Sequence, residues 1–88
     1  MKLRGEFVVR QVMDSIIAIP VGQTALQFNG MLLLNDVSKV IWDRLEQGAE
    51  LAEIVTAVTD AFAVSQEEAR ADILEFLDKL RAAQLLDE

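Results

Sequence analysis

The chain has 88 residues, a formal net charge of −7 at pH 7, and neither cysteine nor histidine. Without these residues there is no disulfide framework or thiolate metal site, and the commonest general base and metal ligand are missing. No apolar run approaches the roughly 20 residues that span a bilayer, and no secretion signal is recognisable. We therefore expect a single domain over residues 1–88, without membrane contact, in the cytoplasm.

Three short β-type segments are predicted in the first part of the chain. Phe7–Val12, Ile16–Ile19 and Met31–Leu34 are rich in β-branched and apolar residues. Between the second and third of them, Thr24–Phe28 is predicted to be a short extended piece. Asn29–Gly30 is predicted to form a two-residue type I′ turn, because both residues tolerate positive φ.

Three amphipathic helices are predicted to follow the strands. Asn35 is a suitable N-cap for a first helix over 36–46, which stops near a glycine. The second helix is predicted over 51–62. Ser65 and Glu68 form a capping-box pattern that begins the third helix. Three N-terminal strands followed by three helices indicate the α+β class, as a small winged helix-turn-helix-like domain.

The distribution of charge argues against nucleic-acid binding, although winged-helix domains usually bind DNA. Between Glu50 and Asp78 there are eight acidic residues and one basic residue, Arg70. DNA affinity depends largely on basic residues that neutralise phosphates. The second helix also contains no Arg, Lys, Asn or Gln to reach base edges. We expect no nucleic-acid partner.

The acidic side chains of the third helix have spacings that are compatible with catalytic or metal-binding groups. Glu67 with Glu68, or Asp72 with Glu75, have a spacing that permits acid–base chemistry. Asp72, Glu75 and Asp78 have a spacing that permits binding of a divalent cation. A solvated helix surface explains all five more simply. We predict no catalytic residue, no cofactor and no metal.

The third strand and third helix together suggest a peptide-binding site. A strand with one unpaired edge can accept an extended peptide as an added strand. On the helix, Arg70, Leu74, Leu77 and Arg81 lie along one stripe, which suits a peptide with apolar anchors and acidic residues. Alternatively, Leu74 is merely half-buried, and the two arginines pair locally with acidic residues three positions away, Glu67 and Asp78.

An ordered set of residues extends this interpretation to nearly the whole chain, from about Phe7 to Leu86. The set comprises Ile19-Pro20-Val21-Gly22, Phe28-Asn29-Gly30-Met31, Leu34-Asn35, Ile41-Trp42, Gly48, Ala69, Asp72-Ile73, Phe76-Leu77, Leu80 and Leu85-Leu86. It resembles the PqqD-like family, coenzyme PQQ synthesis protein D and its relatives. These RiPP recognition elements are the recognition modules of ribosomally made, post-translationally modified peptides.

The resemblance implies a non-catalytic domain that binds the leader segment of a precursor peptide between its third strand and third helix. Such a module presents the precursor to a modifying enzyme, often a radical SAM protein. Transferred by element, the peptide-binding residues are Met31, Leu32, Leu33 and Leu34 on the strand, and Arg70, Ile73, Leu74, Leu77 and Arg81 on the helix. The alternative is a regulatory or interaction domain whose exposed strand edge pairs with a second copy as a homodimer.

Three positions depart from the pattern of the family. Ser38-Lys39 stands where relatives often have a pair of small residues. Ala49-Glu50 replaces the usual Ser or Thr before the second helix, so the start of this helix is expected to fray. Gln84 stands where glycine is common near the end of the chain.

Overall fold

A computed structural model describes all residues, 1–88. The elements in chain order are β1 (Lys2–Leu3), β2 (Phe7–Val12), β3 (Ser15–Pro20), α1 (Gln23–Gln27), β4 (Leu32–Leu34), α2 (Asp36–Gln47), α3 (Leu51–Ala61), α4 (Gln66–Ala82) and β5 (Leu86–Asp87). The predicted α+β class is confirmed, because a three-stranded antiparallel sheet precedes three long helices. None of the helices combines the length and apolar character needed to cross a membrane.

The main sheet has the strand order β2–β3–β4, and both pairings are antiparallel. Its register places Val9 opposite Ala18 and Ala18 opposite Leu32. These three side chains point to the face that covers the helices, where Ala18 is fully buried. Because side chains alternate along a strand, Ile17 and Leu33 lie on the opposite face. A second pairing, β1 with β5, joins the two ends of the chain.

The connection between β3 and β4 differs from both predictions for this region. The segment predicted as extended, 24–28, contributes most of the short helix α1. The Thr24 hydroxyl accepts a hydrogen bond from the Glu6 N–H at 2.7 Å. This contact anchors α1 and brings the Phe28 ring edge-on to Phe7, with centroids 6.0 Å apart. The prediction of an extended segment is wrong because α1 depends on contacts with Glu6 and Phe7, which are distant in the sequence.

The predicted type I′ turn at Asn29–Gly30 is also wrong. Gly30 has a φ of 110°, but Asn29 does not adopt positive φ, which this turn requires at both positions. The tight hairpin connection instead lies between β2 and β3. There, Met13 and Asp14 link Val12 to its partner Ser15, and Met13 has a φ of 57°.

The core is built around Trp42, which has no exposed surface. The Phe7 ring meets the indole edge-to-face, with centroids 5.2 Å apart and an interplanar angle of 86°. The three long helices supply most of the other buried side chains, namely Ile41, Leu45, Ile54, Val58, Ala69, Ile73, Leu77 and Leu80. The sheet is thus fixed to α2 through an aromatic contact.

Side-chain caps fix the first turns of the three long helices. Asn35 Oδ1 accepts from the Ser38 N–H at 2.8 Å, and Ser38 Oγ accepts from the Asn35 N–H at 3.2 Å. Ser38, one of the departures from the family pattern, therefore belongs to the cap of α2. At α4, Ser65 Oγ accepts from the Glu68 N–H at 3.1 Å, as predicted.

The expected fraying at the start of α3 is wrong. The Glu53 carboxylate accepts a hydrogen bond from the Glu50 N–H at 2.9 Å. The Glu50 carbonyl accepts in turn from the N–H groups of Glu53 and Ile54, at 3.0 and 3.1 Å. The first turn of α3 is thus closed by these backbone hydrogen bonds and by the Glu53 side chain, without a Ser or Thr cap.

The end of α4 explains why glycine is common in the family at the position that Gln84 occupies here. The Leu85 N–H donates to the Leu80 carbonyl at 2.8 Å, and the Gln84 N–H donates to the Arg81 carbonyl at 3.0 Å. This pair of bonds is a Schellman motif, which needs a left-handed residue after the C-cap. Gln84 occupies that position with a φ of 60°. Glycine adopts this conformation without a steric penalty.

The substitution Gln84→Gly is therefore expected to raise the free energy of unfolding by about 0.5–1 kcal/mol. Urea denaturation followed by circular dichroism measures this change. Ala83→Gly is the matched control, since Ala83 has an ordinary φ of −88° and glycine there only adds conformational freedom to the unfolded chain. A loss of stability in both variants would contradict the strain assigned to Gln84.

Candidate functional site

A groove runs between the strand β4 and the helix α4. Its main cavity has a volume of about 460 Å³. The cavity is lined on the apolar side by Ile16, Leu32, Leu33, Leu34, Phe76 and Leu80, and on the polar side by Asp14, Ser15, Asn35, Ser38 and Lys79. Three elements of the fold therefore meet here: the β3–β4 pair, the start of α2 and the middle of α4.

The strand side of this groove has an unpaired edge. β4 pairs with β3 through Leu32, Leu33 and Leu34, and no strand pairs with its other edge. Alternate backbone N–H and C=O groups on such an edge have no partner in the sheet. Leu32 and Leu34 turn toward the helices, whereas the side chain of Leu33 points away and is 72% exposed. β2 has an unpaired edge as well, but β2 contributes no residue to the groove.

The helix side of the groove is held in place by the core face of α4. Ile73, Leu77 and Leu80 are at most 1% exposed, so the rotation of α4 about its axis is fixed by packing. This rotation turns the half-buried Phe76 and the exposed Lys79 toward β4. The ammonium of Lys79 has no ion-pair partner within the chain. The helix thus offers an apolar wall with one cation at its rim.

A second cavity of about 180 Å³ extends the groove along α4. It lies between the first turns of α2 and the helix α4. Asn35, Ser38, Phe76 and Lys79 line both cavities, and Asp72 and Glu75 line only the second one. The two cavities are therefore neighbours along the same side of α4.

The predicted strand residues occupy the positions expected of a peptide-binding edge. Leu32, Leu33 and Leu34 all line the main cavity. Leu34 is only 5% exposed, and its side chain belongs to the core. Met31 immediately precedes β4, is 58% exposed and lies outside the cavity lining.

The predicted helix residues Arg70, Ile73, Leu74, Leu77 and Arg81 line neither cavity of the groove. Ile73 and Leu77 are 0% and 1% exposed and belong to the core. Two residues along an α-helix correspond to a rotation of about 200°, so Leu74 points almost opposite to Phe76. Arg70 and Arg81 flank Leu74 on that distant side. Spacing along the sequence does not determine which side of α4 meets the sheet.

The two arginines of this stripe differ in their partners. Arg81 pairs with Asp78 at 2.9 Å and with Glu88 at 2.8 Å. The hydrogen bond from Arg81 lowers the pKa of the Glu88 carboxyl, and the same contact raises the pKa of Arg81. The Arg81–Asp78 pair weighed from the sequence is therefore present. Arg70 makes no ion pair, including with Glu67.

Sequence reasoning missed Phe76 and Lys79 as residues of the groove. Phe76 is apolar and next to the core residue Leu77, and it does pack partly against the core. Lys79 lies among acidic residues in the sequence, and no pattern there indicates that it faces a groove. No group of three or more acidic side chains lies close enough to hold a metal ion, so Asp72, Glu75 and Asp78 do not converge.

The comparison with protein families identifies the class to which this groove belongs. The sequence model of the family described as coenzyme PQQ synthesis protein D (PqqD) matches residues 19–86. The match covers most of the chain, from the end of β3 to β5. The chain therefore belongs to the PqqD family, and the resemblance found in the sequence is confirmed.

Two solved structures have the same fold as this protein. TbiB1, in complex with the TbiA(beta) leader peptide, is 25% identical, with a TM-score of 0.74 over 99% of this chain and 95% of that one. Lasso peptide synthetase B1, complexed with the leader peptide, is 23% identical, with a TM-score of 0.70 over 96% and 93% of the two chains. Among curated proteins, no sequence matches this chain significantly.

Proposed function

We propose that this protein is a non-catalytic module that captures the leader segment of a ribosomally made precursor peptide. The leader binds in the groove as an added strand on the free edge of β4, with α4 as the opposite wall. Backbone hydrogen bonds to β4 supply affinity, and the apolar cavity selects alternate side chains. The module then presents the rest of the precursor to a modifying enzyme such as a radical SAM maturase.

The observation that carries this proposal is the free edge of β4 directly beside the cavity of about 460 Å³. An added strand would lie about 4.8 Å from β4, on the side that faces the cavity. Half of the side chains of an added strand would face Phe76 and Leu80. The likeness to TbiB1, whose structure contains a leader peptide, supports the same use of the groove.

A binding role agrees better with the groove than a catalytic one. The groove contains no histidine or cysteine, and its one lysine is exposed at the rim. Apolar side chains form most of its floor, which suits recognition of apolar anchors.

Backbone methylation of the ligand tests strand addition directly. The probe is a synthetic leader segment of the precursor encoded beside the gene for this protein, with single N-methylated residues placed in turn. We expect affinity to fall with a period of two residues, since only every second N–H of an added strand faces β4. Isothermal titration calorimetry measures each dissociation constant.

Two outcomes of this scan would contradict the proposal. Failure of the unmodified leader to bind would remove the peptide-binding function. A leader that binds with uniform tolerance of methylation, or with a period near 3.6 residues, would indicate a helical ligand and overturn strand addition.

A further inference from the structure

The free edge of β4 does not by itself fix where an added strand sits along it. Backbone hydrogen bonds are the same for every peptide, and β4 consists of three identical residues, Leu32–Leu34. A slip of one residue turns the other side chains of the ligand toward the groove, but a slip of two residues restores the same alternation. Registers that differ by two residues are therefore distinguished only by the side chains that line the groove.

The charged side chains along the groove are unevenly distributed. Lys79 is the only basic residue that lines either cavity, and it lines both of them. The acidic residues of the lining are Asp14 in the main cavity, and Asp72 and Glu75 in the second one. A carboxylate on a bound peptide is therefore attracted at one place along the groove and repelled near the other three side chains.

These four charged groups are available to a ligand. All of them are exposed, and none takes part in an ion pair within the chain. Glu75 precedes Lys79 by four residues, a spacing at which Glu and Lys often pair on a helix, yet these two side chains form no ion pair. At the rim, the long side chain of Lys79 can turn outward to admit a strand and still reach a carboxylate of that strand.

We infer that Lys79 sets the register of the leader peptide in the groove by pairing with one acidic side chain of the leader. This inference rests on the proposed function, because it assumes strand addition to β4. The three carboxylates of the lining disfavour an acidic residue elsewhere in the bound segment. The ligand class is therefore a leader segment with one Asp or Glu among neutral or basic residues.

The expected strength of this contact is sufficient for such a role. An exposed ion pair changes affinity only about two- to fivefold. Registers two residues apart make the same kind of backbone hydrogen bond, so a small difference between them decides which one is populated. Lys79 thus acts on the position of the leader more than on its overall affinity.

A glutamate scan of the ligand tests the inference. The probe is the synthetic leader segment of the precursor encoded beside the gene, with every Asp and Glu replaced by Asn and Gln. One Glu is then returned to each position in turn. We expect Glu to tighten binding about two- to fivefold at a single position and to leave it unchanged or weaken it elsewhere. Isothermal titration calorimetry at low ionic strength, where exposed charges are least screened, measures each dissociation constant.

The variant Lys79→Glu should reverse this selection. We expect it to lose the preference for Glu at that position and to prefer Lys there by a similar factor, an exchange that a merely structural role of Lys79 would not produce. Arg70→Glu is the matched control, because Arg70 is a second exposed, unpaired cation on α4 and lines neither cavity. The control should keep the scan profile of the wild type.

A nitroxide label at one end of the probe reports the register directly, because it broadens the nearby amide signals of isotope-labelled protein. Moving the single Glu by two positions should move the broadened amides about 6.6 Å along β4 in the wild type, but not in Lys79→Glu. Three results would overturn the inference and leave peptide binding intact: a flat scan, the same preference for Glu in Lys79→Glu, or a label pattern that ignores the position of Glu. Failure of the unaltered leader to bind would overturn the proposed function as well.

Discussion

The substitution Lys79→Trp is expected to weaken binding of the leader peptide at least about tenfold, a loss of about 1.4 kcal/mol. Lys79 is exposed on α4 at the rim of the groove and has no ion-pair partner. Its flexible ammonium can swing into water when a ligand enters. An indole ring prefers the apolar wall beside Phe76 and Leu80, so it occupies the space that an added strand needs. Fluorescence anisotropy of a labelled leader peptide measures the loss.

Ala71→Trp is the matched control for this substitution. Ala71 is exposed on α4 but lines neither cavity of the groove. The control introduces the same ring into the same helix and should leave affinity unchanged. Thermal unfolding of both variants should stay close to that of the wild type. Unchanged affinity in Lys79→Trp, or equal losses in the two variants, would remove the groove as the binding site.

The substitution Trp42→Ala is expected to lower the free energy of unfolding by about 3–5 kcal/mol. Trp42 has no exposed surface and contacts the Phe7 ring edge-to-face. Its removal leaves a cavity where the sheet meets α2. Domains of this size have total stabilities of about 5–15 kcal/mol, so the variant should be close to unfolding at 37 °C. Urea denaturation followed by far-ultraviolet circular dichroism measures the change without relying on the lost fluorophore.

Trp42→Phe separates the packing of the ring from its polar atom. The indole Nε1 is buried without a hydrogen-bond partner, and burial of such a group costs about 1–3 kcal/mol. Phenylalanine removes this group and keeps an aromatic ring against Phe7, so we expect a loss below about 2 kcal/mol. Equal damage from both substitutions would show that the indole N–H has a partner, such as a water molecule.

The strand beside the groove could be predicted from the sequence, but neither its free edge nor the side of α4 that faces it could. The run Leu32–Leu34 with its flanking turn signals predicts a strand, and only the strand order β2–β3–β4 leaves its outer edge unpaired. The wall of α4 depends on the rotation of that helix. Phe76 and Leu74 are both apolar and both border the core stripe, so periodicity alone gives no reason to prefer either side. Packing of Ile73 and Leu77 against the other helices decides that Phe76 faces β4.

The sequence by itself determined the α+β class, the bounds of β2, the caps at Asn35 and Ser65, and membership of the PqqD family. These features depend on neighbours within a few positions or on residue order along the chain. Only the tertiary structure decided that α1 forms, that β1 pairs with β5, and which side of α4 faces the groove. Each of these depends on contacts between distant residues, such as the hydrogen bond from Glu6 to Thr24. A contact across many residues becomes favourable only once the rest of the fold holds both partners in place.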